Sequence, residues 1–213
     1  MKSLFLFLST LLMQVFGASN SDVFTEIYQK NLWGNGSGEG SKLENNLDYI
    51  QFLNAFMKNN NIRSVVDLGC GDWQFSYKVD WGDISYLGLD CVAHLIERNQ
   101  RIFGSNNIQF KLVDCVNEPL PEADLLISKD CLQHLDNRSI KKIITHFNKY
   151  KFCLITNDVH FIKNTNKNIK IGDYRCLDLT KSPFFLKGKK VFEWRCEDHG
   201  VTKATFLFVN NKS

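Results

Sequence analysis

The stretch Val65-Val66-Asp67-Leu68-Gly69-Cys70-Gly71-Asp72 carries the most specific pattern in this 213-residue chain. An apolar run typical of a buried strand ends in a carboxylate and then turns through two glycines. Glycine permits the tight turn and lets a ligand approach the backbone. We expect a short helix to follow, with an N-terminus that favours a negative or polar group. The pattern predicts the first strand and the ligand-binding turn of an open α/β sheet.

Acidic residues also end the next two strand-like runs. Tyr86–Asp90 ends in an acid 21 residues after Gly69, about the spacing at which an acid accepts both hydroxyls of a ribose. The run Phe110–Val113 is followed by a third acid, Asp114. Because the carboxyl ends of parallel strands lie at one edge of a sheet, these acids predict a single ligand-binding crevice.

Short apolar runs and helical patterns alternate from residue 62 onward, which is typical of βαβ units with a parallel sheet and right-handed crossovers. The predicted strands are Ser64–Leu68, Ser85–Leu89, Ile108–Val113, Ala123–Ser128 and Lys151–Thr156. The predicted helices between them include Val92–Phe103 and Asn137–Asn148. The last two strand-like runs, Lys190–Cys196 and Thr202–Val209, are joined by a short loop and predict an antiparallel hairpin.

Two helical patterns, Ser21–Lys30 and Leu43–Lys58, come before the first strand. We interpret residues 20–61 as a helical cap and residues 62–213 as the main domain. The glycine-rich segment Trp33–Ser41 joins the two helices. It is either a lid, since glycine-rich loops beside a crevice move easily, or an ordinary helix–helix connection.

The first 19 residues differ in composition from the rest. Lys2 is followed by an apolar stretch and then by small residues, a pattern typical of a secretory signal peptide. The alternative is a hydrophobic N-terminal helix that docks on the domain. The stretch is too short for a stable membrane span, which takes about 20 apolar residues. A signal peptide indicates export, whereas free cysteines indicate a reducing compartment, so two localisations stay open.

The composition indicates a globular chain. Hydrophobic residues make up 44% of it, and 26 basic against 23 acidic residues give a net charge of +3. No nucleic-acid partner is expected, because such proteins usually carry a basic cluster. Seven cysteines, an odd number without a CxxC pair, favour buried free thiols over a disulfide framework. No histidine has ligand-type spacing to a cysteine, so no metal is expected.

The run from Ser64 to Asn157 resembles the class I S-adenosylmethionine-dependent methyltransferases. The matching pieces are residues 65–72, Asp90, Asp114-Cys115 and the fourth-strand segment Ala123–Leu135. The closing hairpin resembles the sixth and seventh strands of that family. The resemblance covers residues 62–210. It implies a seven-stranded Rossmann-like α/β sheet, mostly parallel, with an antiparallel terminal hairpin, helices on both faces and an N-terminal helical cap.

The resemblance implies S-adenosylmethionine as the cofactor. The cofactor-binding residues that it implies are Asp67, Gly69, Cys70, Gly71, Asp90, Asp114, Cys115 and Asp130. In this interpretation the two glycines approach the methionine part, and Asp67 organises the glycine loop or meets the amino group. Asp90 binds the ribose, Asp114 lies near the adenine amino group with Cys115 behind it, and Asp130 faces the sulfonium.

One departure from the family is Asp72-Trp73, where many members have a third small residue. Trp73 either closes over the cofactor or packs behind the loop. A nicotinamide enzyme is the rival interpretation, but its third glycine and its fully parallel end are missing here.

Methyl transfer requires an aligned nucleophile and, where the acceptor carries a proton, a base. The candidate bases are Asp130 and His134 after the fourth strand, and Asp158 and His160 after the fifth. Each has an alternative structural role, since an acid or histidine at a strand end often caps or packs the next element.

Two residues of the segment 164–185, Tyr174 and Arg175, are candidate substrate-binding residues, because a phenol and a guanidinium bind hydroxylated or anionic groups. Arg175 alternatively pairs only with Asp173 or Asp178. The expected activity is transfer of a methyl group to an oxygen or nitrogen of a small molecule or saccharide. The alternatives are a protein methyltransferase and a non-catalytic binding module that kept the fold.

Overall fold

The computed structural model of the protein describes residues 18–159, 165–196 and 200–210. Residues 1–17 of the predicted signal peptide and the candidate base His160 lie outside the described residues. The strands are β1 (Ser64–Leu68), β2 (Ser85–Asp90), β3 (Ile108–Leu112), β4 (Ala123–Lys129), β5 (Tyr150–Asp158), β6 (Lys189–Cys196) and β7 (Val201–Val209). The α-helices are α1 (Asn20–Gln29), α2 (Leu47–Asn59), α3 (Ala93–Phe103) and α4 (Asn137–Ile144).

The strands form one sheet in the order β3-β2-β1-β4-β5-β7-β6. Strands β1 to β5 run parallel, whereas β7 pairs antiparallel with both β5 and β6. The predicted parallel sheet with an antiparallel terminal hairpin is therefore confirmed. The order of the strands reverses between β1 and β4, and open α/β sheets bind ligands at the carboxyl ends beside such a reversal.

Helices cover both faces of the sheet, because successive side chains of a strand point to opposite faces. Val65 of β1 belongs to an apolar cluster with α2 and with Ile96 of α3. Val66, the next residue, belongs to a second cluster with Ile140 and Ile143 of α4. Helix α2 is part of this core, with the buried residues Tyr49, Ile50, Leu53 and Met57. The boundary between a cap and a main domain at residues 61 and 62 stays a prediction.

The prediction of a helix directly after the glycine turn is wrong. Residues 73–75 are not helical, and a single 3₁₀ turn covers Ser76–Lys78. Trp73 has a φ of 61°, in the left-handed region that interrupts a right-handed helix. Its indole packs against Tyr86, Phe103 and Phe110 instead. The turn after β1 therefore has no helix N-terminus behind it.

Two further helical spans are shorter than predicted. Helix α4 ends at Ile144, and a separate 3₁₀ turn covers Phe147–Lys149. The segment Leu43–Asn46 likewise forms a 3₁₀ turn ahead of α2. Leu43 and Phe147 of these turns still pack against the core, whereas Leu47 is exposed.

Within the described ranges, no helix is long and apolar enough to cross a membrane. All seven cysteines belong to those ranges, and each is a free thiol. Four of them, Cys70, Cys153, Cys176 and Cys196, are buried.

Candidate active site

A cavity of about 270 Å³ lies at the carboxyl ends of the central strands, beside the reversal of strand order. It brings together residues that are up to 183 positions apart in the sequence, from Asn20 to Lys203. The predicted cofactor-binding residues that line it are Asp67, Gly69, Cys70, Gly71, Asp90, Asp114, Cys115 and Asp130. All three candidate bases within the described residues, Asp130, His134 and Asp158, line it as well.

Asp90 fastens the glycine turn to the end of β2. Its Oδ2 accepts a hydrogen bond from the Gly71 amide at 3.0 Å, and its Oδ1 accepts one from the Val92 amide at 3.0 Å. Burial raises the pKa of the Asp90 carboxyl. Each carboxylate oxygen has a second lone pair, so Asp90 is able to hold the turn and still accept a hydrogen bond from a ligand hydroxyl.

Asp67 belongs to a buried chain of hydrogen bonds beneath the same turn. It accepts a hydrogen bond from the Tyr86 hydroxyl at 2.7 Å, and that hydroxyl accepts one from the Trp73 indole at 2.8 Å. Only 3% of Trp73 is exposed, so this side chain packs behind the loop and does not close over the cavity. Burial raises the pKa of Asp67 to about 7.

Replacing Asp67 by asparagine is expected to change how stability depends on pH. The carboxyl has a pKa of about 7 in the fold against an ordinary value of 3.8. Between these values the folded protein holds a proton that the unfolded chain has lost, so the free energy of unfolding falls as the pH rises. From about pH 5 to about pH 6 the fall due to this group is about 1 kcal/mol. Asparagine does not ionise and removes it.

Urea unfolding of the natural protein and the Asp67→Asn variant at several pH values measures this difference. The stability of the variant relative to the natural protein is expected to increase with pH across the window. A difference that stays constant with pH would show that Asp67 ionises normally in the fold.

Asp114 also lines the cavity and is held in place by the first residue of helix α1. The buried side-chain amide of Asn20 donates to its two carboxylate oxygens at 3.0 and 3.2 Å. The Val116 amide and the Asn117 side chain donate to it as well, at 3.0 and 2.7 Å. Cys115 lines the cavity next to this carboxylate.

The glycine-rich segment Trp33–Ser41 lies over the glycine turn. The Ser37 amide donates to Asp72 Oδ2 at 3.1 Å, and the Asp72 amide donates to the Ser37 hydroxyl at 3.1 Å. Tyr28 of α1 also shares a hydrogen bond of 2.7 Å with that hydroxyl. The segment therefore contacts the turn through polar groups at its centre, and its role as a lid stays a prediction.

Four charged side chains form a buried cluster at the carboxyl ends of β4 and β5. Lys203 Nζ lies 2.8 Å from both oxygens of Asp130 and 2.6 Å from Asp158 Oδ1. Lys129 Nζ lies 2.6 Å from Asp130 Oδ2. The two ammonium groups outweigh burial and lower the pKa of Asp130 to about 2. Asp130 is therefore ionised at neutral pH.

His134 lies in the 3₁₀ turn Leu132–His134 that follows β4. Its ring contacts the Trp33 ring, with 4.7 Å between the centroids. Its Nδ1 lies 3.0 Å from the Asp173 carbonyl oxygen. A carbonyl oxygen only accepts, so Nδ1 carries the hydrogen. Burial lowers the pKa of His134, which leaves the ring neutral and Nε2 as a free proton acceptor.

The two candidate substrate-binding residues have different surroundings. Tyr174 is half-exposed, and its hydroxyl donates to Asp158 Oδ2 at 2.8 Å. Arg175 is buried, and its guanidinium donates to the carbonyls of Leu132 and Leu135 at 3.1 and 2.7 Å. Neither Tyr174 nor Arg175 lines the cavity, and Arg175 pairs with neither Asp173 nor Asp178. Through these hydrogen bonds, Arg175 holds the turn after β4 in place.

Sequence reasoning missed several residues that line the cavity. They are Asn20, Tyr28, Ser37, Lys129, Gln133 and Lys203. Lys203 could have been found from the sequence, since it lies within the largely apolar strand Val201–Val209. Burying a lysine there costs free energy unless the ammonium group is paired. Asn20 had none, because a polar residue ahead of a helix usually caps it.

The strand order, the antiparallel hairpin and the cavity at the reversal define the class I S-adenosylmethionine-dependent methyltransferase fold. Among solved structures, the N-methyltransferase NodS from Bradyrhizobium japonicum WM9, in complex with S-adenosylhomocysteine, matches with a TM-score of 0.69 at 13% identity. That match covers 90% of this chain and 100% of NodS. Magnesium protoporphyrin IX methyltransferase from Synechocystis PCC 6803, with bound S-adenosylhomocysteine, matches with a TM-score of 0.61 at 11% identity, over 91% and 100% of the chains.

TehB from Haemophilus influenzae matches with a TM-score of 0.54 at 15% identity. The match covers 76% of this chain and spans 62% of TehB. No protein-family profile and no curated protein matches the sequence. At these identities the structural matches establish the fold alone.

Proposed function

We propose that the protein is an S-adenosylmethionine-dependent methyltransferase that transfers a methyl group to an oxygen or nitrogen of a small molecule or saccharide. The observation that carries this proposal is the charge of the cavity. The carboxylates that line it are Asp67, Asp72, Asp90, Asp114, Asp130 and Asp158, and the cationic side chains are Lys129 and Lys203. A ligand with a sulfonium and an ammonium group fits such a lining.

The same lining disfavours a nicotinamide dinucleotide. The pyrophosphate of such a cofactor usually lies on a glycine turn with a helix N-terminus behind it. Here the turn is followed by the non-helical residues 73–75, and both oxygens of Asp90 bond the backbone directly beside it. A pyrophosphate at this turn would meet negative charge and no helix dipole.

The residues fit S-adenosylmethionine part by part. Asp90 would accept hydrogen bonds from the ribose, and Asp114, held by Asn20, would face the adenine amino group. Gly69 and Gly71 would let the backbone approach the methionine part, and Asp130 would lie toward the sulfonium. The cofactor supplies a methyl group on a carbon that the sulfonium already activates.

Of the three candidate bases, His134 is best placed to take a proton from the acceptor. Asp130 is bonded by two lysines, and Asp158 is bonded by Lys203 and Tyr174. Among the described residues none bonds His134 Nε2 in this way, while the contact from Nδ1 to the Asp173 carbonyl orients the ring. The base would therefore act through Nε2, and the two carboxylates would position ligand groups.

The surroundings of His134 support a small acceptor. The Trp33 ring, which lines the cavity, packs against the His134 ring. The Tyr174 ring lies just outside the lining, with 6.0 Å between its centroid and that of His134. Aromatic walls of this kind bind the apolar faces of rings, including sugar rings, while nearby carboxylates accept from hydroxyls. The negative lining disfavours a phosphorylated or otherwise anionic acceptor.

Calorimetric titration of the full chain with S-adenosylmethionine, and separately with S-adenosylhomocysteine, tests the proposal. We expect dissociation constants in the micromolar range, about 8 kcal/mol of binding free energy. A folded sample that binds neither ligand would contradict it and favour a module that kept only the fold. An acceptor screen that detects released S-adenosylhomocysteine, with saccharides, amines and peptides as separate pools, then separates small-molecule from protein substrates.

A further inference from the structure

Lys203 is the centre of the buried charge cluster and comes from a strand outside the parallel part of the sheet. Its side chain is 5% exposed. In the antiparallel pairing of β5 with β7, Lys203 lies directly across from Asp158. The ammonium group thereby reaches Asp158 on the neighbouring strand and Asp130 at the end of β4. One nitrogen thus joins two carboxylates that sequence reasoning treats as separate candidates.

Burying such a cluster costs free energy that apolar side chains would not cost. Each buried charge loses hydration worth several kcal/mol, and paired charges recover this only with good geometry. Asp130 also has a φ of 57°, a left-handed conformation that is unfavourable for a residue with a side chain. A costly and strained arrangement that lines the cavity indicates a role in the site.

We propose that Lys203 is a positioning residue that holds Asp130 and Asp158 together in their ionised form, so that the charge facing the sulfonium of S-adenosylmethionine is constant with pH. The proposal rests on the proposed function, because it assigns the cluster to the sulfonium side of the cofactor. With Lys129 and Lys203 protonated, the four groups sum to zero charge. Removal of Lys203 leaves two buried carboxylates and one cation.

Within the described ranges, the other titratable groups that face Lys203 are Lys129 from β4, His134 from the turn after β4 and Cys196 from β6. Of the two carboxylates, Lys129 bonds Asp130 alone, so it does not join the pair as Lys203 does. Burial keeps His134 neutral at and above neutral pH and raises the pKa of the Cys196 thiol, so both stay uncharged there. Tyr174 donates to Asp158, and burial raises the pKa of its phenol.

The ratio of the affinities for S-adenosylmethionine and S-adenosylhomocysteine depends on the charge near the sulfur atom. It is measured without a methyl acceptor. The two ligands differ by the methyl group and one positive charge, so effects on the shared ammonium, ribose and adenine cancel in the ratio. The titration of Asp67, which lies under the glycine turn, contributes equally in the natural protein and in the variants, so the ratio for each variant is compared with that of the natural protein at the same pH. The ratio is measured by calorimetry from about pH 5.5 to about pH 8.

In the natural protein we expect a ratio that varies by less than about twofold over this range. In Lys203→Met, the carboxylate pair is expected to take up a proton as the pH falls, so the preference for the sulfonium ligand weakens by about fivefold or more. Lys203→Arg retains the charge and is expected to restore a constant ratio. Lys151→Met is the matched control, since Lys151 pairs with Asp124 outside the cavity and its side chain is 72% exposed.

A second variant tests the same proposal if Lys203→Met does not fold. Asp158→Asn leaves two lysines against Asp130 alone, so the ratio is expected to fall at every pH by about threefold or more. A merely structural role would weaken both ligands equally, and a ratio that is constant and unchanged in both variants would overturn the proposal. Binding of neither ligand by the natural protein would instead contradict the proposed function.

Discussion

Replacing Gly69 by alanine is expected to lower the free energy of unfolding by about 3 kcal/mol. Gly69 has a φ of +75°, where a residue with a side chain is strained. An added Cβ would lie 2.4 Å from Cys131 Sγ and 2.6 Å from Cys131 Cβ. Both atoms belong to the start of the turn after β4, so either β1 or that turn must shift. Urea unfolding followed by circular dichroism measures the loss.

Gly34 provides a matched control. Its φ is +67°, but an added Cβ would meet no atom within 4 Å. Gly34→Ala therefore isolates the backbone strain, and we expect a loss of about 1 kcal/mol. The Cys131→Gly background lacks both contacting atoms. In that background Gly69→Ala should lower the free energy of unfolding by less than it does in the natural protein. Equal losses for Gly69→Ala and Gly34→Ala would show that the contact with Cys131 is unimportant.

Replacing Asp90 by asparagine is expected to weaken binding of S-adenosylmethionine by tenfold or more, about 1.4 kcal/mol. Both oxygens of Asp90 accept from backbone amides, those of Gly71 and Val92. The asparagine amide group presents two hydrogens in place of one oxygen, so one backbone amide loses its acceptor and the turn loosens. The same change removes lone pairs that a ribose hydroxyl would use. Calorimetry on the full chain measures the affinity.

Asp83→Asn is the control for this prediction, because Asp83 is exposed in the turn ahead of β2. It should bind like the natural protein. Thermal unfolding of both variants shows whether the fold is intact at the temperature of the titration. A folded Asp90→Asn protein with unchanged affinity would mean that Asp90 serves the turn and not the ligand.

The cavity lining around the glycine turn could be predicted because its residues lie close to strand ends. Asp67, Asp90 and Asp114 each lie within two residues of the end of a strand, and parallel strands bring these ends to one edge. Local apolar patterns are sufficient to locate such strands. The prediction of a helix after the glycine turn was wrong because Trp73 packs its indole against Tyr86 and Phe110 of the neighbouring strands. This tertiary contact overrides the local pattern.

The surroundings of the strand ends of β4 and β5 could not be predicted in the same way. Asp130 and Asp158 were recognised as acids at strand ends, but the lysines that bond them were not. Arg175 was a candidate substrate-binding residue, with pairing to Asp173 or Asp178 as the alternative, whereas three hydrogen bonds hold it to the turn after β4 and the start of α4. Whether a charged side chain faces a ligand or a carbonyl depends on which distant segment lies beside it.

The amino-acid sequence by itself determined the open sheet, its terminal hairpin and the crevice at its carboxyl edge. Alternating and helical apolar periods, together with glycine at one turn, encode these features over short stretches of chain. Only the tertiary structure decided which side chains surround the carboxylates of the site and how they are charged. Asn20 reaches Asp114 across 94 positions, and Lys203 reaches Asp130 across 73. The physical reason is that the state of a buried charge depends on its neighbours in space, and no local pattern specifies them.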